Sequence, residues 1–255
     1  MAVERQAEPL VTAPEPAEGG TMTLLEHLQE LRSRVAWSGL AVLLGMIVFF
    51  IPPIGFGAIE FLLDPAVRQT PNFRAQAITP MENIVVYFRV ALLGGVALGM
   101  PMLIYQSMQF VVPALTTREK RWTVPVVAGG STMFILGLAF GYFILLPAAY
   151  GFLFKFGSSF ADITPTISSY MDLTTRLLLV CGLVFETPII IMGLARAGVV
   201  SASRLTRWWR FALVGAFAIS AILTPTPDPV TQSLVAGPII LLYFVGIGLA
   251  WFIRR

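Results

Sequence analysis

From Val35 to the C-terminus, apolar positions follow one another in long runs, broken only by prolines and short charged clusters. Six runs are read as membrane spans, at about residues 35–51, 80–110, 124–154, 170–195, 208–223 and 232–253. A helix needs about 20 residues to cross a hydrocarbon core of about 30 Å, and runs of that order recur along the chain. The apolar–polar alternation of a membrane barrel strand is missing, so helices, which satisfy their own backbone polar groups in lipid, are the remaining way to span. The expected fold is therefore an all-α membrane protein with six transmembrane helices. The second and third runs are longer than a perpendicular crossing requires, which implies tilt or projection from the bilayer. Pro101 is expected to kink the second, and Pro147 and Pro188 interrupt the third and fourth.

Ahead of the first run the periodicity differs. Leu24, Leu25, Leu28, Leu31 and Val35 recur at three- and four-residue steps, while Glu26, His27, Glu30, Arg32 and Arg34 take other positions. This is the pattern of an amphipathic surface helix running into the first span, which should stop at Pro52-Pro53. Residues 1–22, rich in Glu, Pro and Gly, read as a disordered cytoplasmic tail, leaving 23–255 as one membrane domain. The tail lacks the basic start and apolar centre of a cleaved signal peptide. Residues 54–79, of mixed character, read as a long extramembrane loop.

Composition agrees with this pattern: 56% of residues are hydrophobic and only 12% charged, against about 25% in soluble domains. The cations fix an orientation. Arg32 and Arg34, then Arg118, Lys120 and Arg121, then Arg196, Arg204, Arg207 and Arg210, and finally Arg254-Arg255 all fall on one side. The other side has Arg68, Arg74 and Lys155, so the positive-inside bias places both termini in the cytoplasm of a multi-pass cytoplasmic-membrane protein. The single cysteine, Cys181, excludes an intramolecular disulfide and a CxxC site. The net charge of +3 gives no support for nucleic-acid binding.

Glu186, in FETP, is an acid near mid-span. A carboxylate in hydrocarbon is costly and marks a functional position, the plainer alternative being a protonated side chain bonded to a neighbouring helix. Asp172 and Arg176 stand four apart and can neutralise one another. Glu82 and Arg89, seven apart, are too far apart along the helix for a direct pair and are expected to meet other helices. Asp228 and Gln232 sit where the last hairpin turns and could cap the sixth helix. The only histidine, His27, lies in the surface helix, and no Ser-His dyad, HExxH or GxxxxGK[ST] occurs, so neither enzymatic activity nor nucleotide consumption is expected. No metal or cofactor is implied.

Two acids remain on the cytoplasmic side, Glu30 in HLQELRSR and Glu119 in TTREKR, each among arginines. Alone, either reads as a self-neutralised surface charge. Together, bordered by Tyr105, Met108 and Phe110, they suit a basic ligand followed by a hydrophobic stretch.

HLQELRSR before the first span, PMLIYQSMQFVVPAL followed by Glu119, GYFILLPAAYGF in the third span, FETP in the fourth and the TPTPDPVTQ turn occur in this order from about Met22 onward. In them the chain resembles the TatC family, the multi-spanning receptor subunits of the twin-arginine protein translocase. The resemblance implies binding of twin-arginine signal peptides at the cytoplasmic face. It also implies assembly with single-span TatA/TatB-type subunits, homo-oligomerisation in a receptor complex, and export of folded proteins driven by the proton motive force. Glu30 and Glu119 match the acids implicated in arginine recognition, and Arg32 and Phe110 match other sensitive positions of these motifs. Glu186 matches the intramembrane acid linked to partner assembly, and Asp228 and Gln232 match polar outer-turn positions. The turn reads TPTPD where parts of the family have the shorter TPPD, and Met108 stands where Trp is frequent. The competing class is a proton-coupled secondary transporter with Glu186 as proton site, which the lack of an evident internal repeat disfavours.

Overall fold

The computed structural model describes residues 24–69, 75–111, 123–155, 165–196, 198–223 and 229–253. Glu119, Asp228 and the N-terminal tail of residues 1–22 lie outside the described residues. The described residues are almost entirely helical, with one isolated bridge between Gln76 and Thr166 as their only β-type contact.

The amphipathic stretch and the first span form a single helix, α1 (Leu24–Phe49), within which no proline falls. Pro52-Pro53 then open a helix instead of a loop. α2 (Pro52–Gln69) starts on them because the first turn of a helix has no use for the missing N–H groups. Its Asp64 and Arg68 pair at 2.6 Å across one turn, a four-residue spacing already visible in the stretch expected to be irregular. α3 (Pro80–Val111) runs as one helix through Pro101, so the expected kink does not divide the element. α4 (Thr123–Phe140) passes into a π segment, Gly141–Leu145, where the Leu146 N–H reaches the Gly141 carbonyl, and then into α5 (Leu146–Lys155). The widened turn lies immediately before Pro147, which cannot donate to the ladder.

The fourth span is divided. α6 (Ile167–Phe185) ends on Glu186, and α7 (Thr187–Arg196) begins around Pro188, with the Ile190 N–H bonded to the Glu186 carbonyl at 2.9 Å. Pro188 removes the N–H that would have bonded Val184 and biases Thr187 away from the helical region, which breaks the ladder there. A short α8 (Ala202–Arg207), α9 (Trp209–Leu223) and α10 (Pro229–Ile253) complete the chain. Five stretches are long and apolar enough to cross a bilayer, and Trp209–Ile222 is a shorter apolar helix. The protein is an all-α integral membrane protein.

One buried cluster gathers α2, α3, the π segment, α5 and α6 around Tyr142, Tyr150 and Tyr170. Their hydroxyls donate to backbone carbonyls, Tyr142 to Phe61 at 2.9 Å, Tyr150 to Tyr170 at 2.9 Å and Tyr170 to Leu62 at 2.8 Å. Buried phenols satisfied in this way fix α2 against the spans, where unpaired ones would be costly. α1 stands apart from this cluster and packs along α3. A Cβ on Gly45 would come within 2.7 Å of the Gly95 carbonyl oxygen, and one on Gly95 within 2.7 Å of the Val42 oxygen. The two backbones therefore cross in a contact that only glycine permits, as small residues allow at helix interfaces in membranes.

Candidate functional site

The α1–α3 crossing determines what lies at the end of the pair that carries Leu24 and Val111. On α1, His27, Glu30 and Arg34 are spaced three and four residues apart and share a face, and on α3 Gln106 and Phe110 do the same. The helices run antiparallel, and these faces meet. His27 stacks on Phe110 with ring centroids 4.6 Å apart. Arg34 donates from Nε and Nη2 to Glu30 Oε1 at 2.9 and 2.5 Å, and from Nη1 to Gln106 Oε1 at 3.1 Å. Gln106 is 7% exposed, so the amide is a fixed acceptor held inside the interface.

Glu30 is thus engaged by one oxygen only. Its second oxygen, Oε2, is buried and has no hydrogen-bond partner among the described residues. A carboxylate leaves such an oxygen unsatisfied at a cost of about 1–3 kcal/mol, a cost that an incoming donor removes. Arg32, two residues on, points elsewhere on the helix and is exposed. Of the recognition residues expected from sequence, Glu30 and Phe110 come together here, Arg32 does not join them, and Glu119 lies outside the described residues. Arg34 and Gln106 had not been singled out. Arg34 carries a signal in its four-residue spacing from Glu30, and Gln106 is one of two amides, with Gln109, in an otherwise largely apolar run, which gives a polar role but no partner.

The second acid of interest, Glu186, is held at the α6–α7 break and is 5% exposed. Its Oε2 lies 3.0 Å from where a Cβ of Gly130 would stand, and that Cβ would also sit 2.7 Å from Ile104 Cδ1. The carboxyl group therefore occupies the space left by a missing side chain on α4, next to α3. Oε1 is buried without a hydrogen-bond partner among the described residues. The plainer alternative, a bond to a neighbouring helix, is not seen among the described residues. The break created by Pro188 and the gap at Gly130 position it, with no relay of polar side chains bonded to it among the described residues.

At the outer end expected from the charge distribution, Asp172 holds two cations: Arg176 at 2.8 Å, four residues away, and Arg89 of α3 at 3.2 Å, with Arg89 also donating to the Ser168 carbonyl at 3.3 Å. Arg89 does find its partner on another helix. Glu82 instead accepts from the Thr79 N–H at 3.4 Å, at the start of α3. Gln232 is a cross-hairpin tie, its Nε2 donating to Phe217 of α9 at 3.1 Å while its own carbonyl accepts from Ser220 Oγ at 2.6 Å. Asp228 lies outside the described residues.

Residues 26–238 match the family described as TatC, the Sec-independent protein translocase protein. Among relatives, the Sec-independent protein translocase protein TatC of Synechocystis sp. is 39% identical over 229 residues, 89% of this chain and 87% of that one. TatC of Aquifex aeolicus is 36% identical, over 89% of this chain and 93% of the relative. A crystal structure of the twin arginine translocase receptor TatC superposes with a TM-score of 0.79 at 33% identity, covering 90% of this chain and all of that one.

Proposed function

This chain belongs to the TatC family, the multi-spanning core subunits of the twin-arginine translocase, and from that premise we propose that the α1–α3 surface around Glu30 receives the paired arginines of an exported protein's signal peptide. The observation that carries the proposal is the half-engaged Glu30 carboxylate, with Oε1 held by Arg34 and Oε2 buried and unpaired. A guanidinium that displaces the side chains covering that oxygen finds an unfilled acceptor and an adjoining aromatic surface in Phe110 and His27. Arginine offers planar, paired donors where lysine offers a single point of charge, so the site favours arginine. Glu119 serves as the second acid, and Arg32 contributes to the same cytoplasmic face.

Glu186 is the proposed contact for single-span TatA/TatB-type subunits, since a buried acid with an unpaired oxygen accepts a donor from a helix laid against it. Asp228 and Gln232 mark the outer turn where such partners also engage. Both termini face the cytoplasm of the plasma membrane, in keeping with the one-sided placement of arginines. The transporter reading has less support, because among the described residues no polar side chain is bonded to Glu186 to pass a proton along.

Crosslinking of a twin-arginine peptide to the membrane-embedded protein tests the proposal. Glu119→Ala is expected to weaken it most and Glu30→Ala to a lesser degree, with both variants still folded. Unchanged crosslinking in both would remove the assignment.

A further inference from the structure

A groove of about 750 Å³ opens between α8 and α10, away from the Glu30 and Glu186 sites. One wall is polar: Ser203, Thr206 and Arg207, spaced three and four residues along α8, share one face. The other wall is apolar, formed by Phe244, Gly248 and Trp251 of α10, likewise on one face. Gly248 gives the groove its depth, because a Cβ there would meet nothing within 4 Å.

Three further observations indicate the occupant. Trp208 and Trp209 at the junction of α8 and α9, and Trp251 near the end of α10, are of the residue type that settles at a membrane–water boundary. The groove therefore spans headgroup and acyl depth. Arg204 and Arg207 lie on α8, while α8, α9 and α10 carry no carboxylate, so the local field is positive. Arg207 is exposed and has no hydrogen-bond partner among the described residues. A guanidinium beside a hydroxyl matches the oxygens of a phosphate diester, and the slot beneath is lined by hydrocarbon and aromatic surface.

We propose that this groove binds an anionic phospholipid, its phosphate held by Arg207 and the Ser203 hydroxyl and one acyl chain laid along Phe244, Gly248 and Trp251. Lipid bound there wedges the amphipathic α8 against α10, adding to the bond by which Tyr243 donates to the Leu205 carbonyl at 2.8 Å. The inference is independent of the peptide-recognition reading.

Native mass spectrometry of the detergent-purified full chain, with phosphatidylglycerol or phosphatidylcholine added, provides the test. The wild-type chain is expected to retain one phosphatidylglycerol in preference to phosphatidylcholine. Arg207→Gln and Gly248→Leu should each lower that retention about tenfold, the loss of one charge-assisted contact or of the space for a chain. Arg210→Gln, at a residue over the Trp209 ring that does not line the groove, should leave it unchanged. Arg207→Gln alters an exposed side chain and Gly248→Leu grows into open space, so unchanged thermal unfolding midpoints are expected. Equal retention by wild type and both groove variants would overturn the proposal. Displacement of the lipid by millimolar inorganic phosphate alone would identify a free-phosphate site and overturn it as well. So would loss of a co-purifying single-span subunit from Gly248→Leu with the lipid count unaltered.

Discussion

A carboxylate that captures arginine from outside the protein has to be held in place without being saturated from within. Glu30 meets both conditions, since Arg34 fixes one oxygen and Gln106 fixes Arg34, while the other oxygen remains unpaired. Glu30→Gln keeps the size and one acceptor but removes the charge. It is expected to weaken twin-arginine peptide binding about tenfold, the worth of a charge-assisted hydrogen bond, as read by fluorescence titration, with little change in thermal stability. Glu186 calls for a different contrast. Its carboxyl faces Gly130 and Ile104, so Gln should retain the single-span partners on co-purification and Ala should lose them. Equal retention by both variants would remove the role. Glu30 and Glu186 were legible in the sequence because acids are scarce in a chain only 12% charged. Arg34 was legible only through its four-residue spacing from Glu30, and Gln106 was not, because a contact across 72 residues of chain leaves no local spacing to read.

At the scale of elements, two glycine contacts and one proline place these acids. Gly45 and Gly95 let α1 lie against α3, and this crossing sets Glu30 beside Gln106 and His27 beside Phe110. Gly95→Leu would drive a side chain into Met46 Cγ, 2.5 Å from the Cβ position, and into the α1 backbone. Overpacking of this kind costs about 1–3 kcal/mol or more. Lower thermal stability is expected together with weaker peptide binding, although no residue of the recognition face has changed. Pro188→Ala restores the N–H that Val184 lacks and rejoins α6 to α7, turning Glu186 away from Gly130. Co-purification of partners should fall while the spans remain helical by circular dichroism. The spans were readable from the length of the apolar runs, and the break in the fourth from Pro188. α2 was not, because its prolines and mixed charges resemble a loop until Pro52-Pro53 are taken as the start of a helix and the Asp64–Arg68 spacing as one of its turns. The glycine crossing was hidden for another reason: glycines are common in apolar runs, and only the partner helix shows which of them are close contacts.

For the whole molecule, α3 is the shared member. It carries Arg89 towards Asp172 at one end, Ile104 beside Glu186, and Gln106 and Phe110 against α1 at the other end. On the proposed reading, a peptide seated on α1 and α3 touches the same helix that lines the intramembrane acid, so recognition and partner assembly would share one support. In the proposed function this support reads arginine through carboxylates at its charged end. The most direct test is an equilibrium titration of the nanodisc-embedded chain with a twin-arginine peptide and its twin-lysine counterpart, in the wild type and in a Glu30→Gln/Glu119→Gln double variant. The wild type should prefer the arginine peptide by about tenfold or more, and the double variant should lose the preference by binding arginine less tightly. Equal affinity of the wild type for both peptides, or a preference that survives in the double variant, would contradict the account.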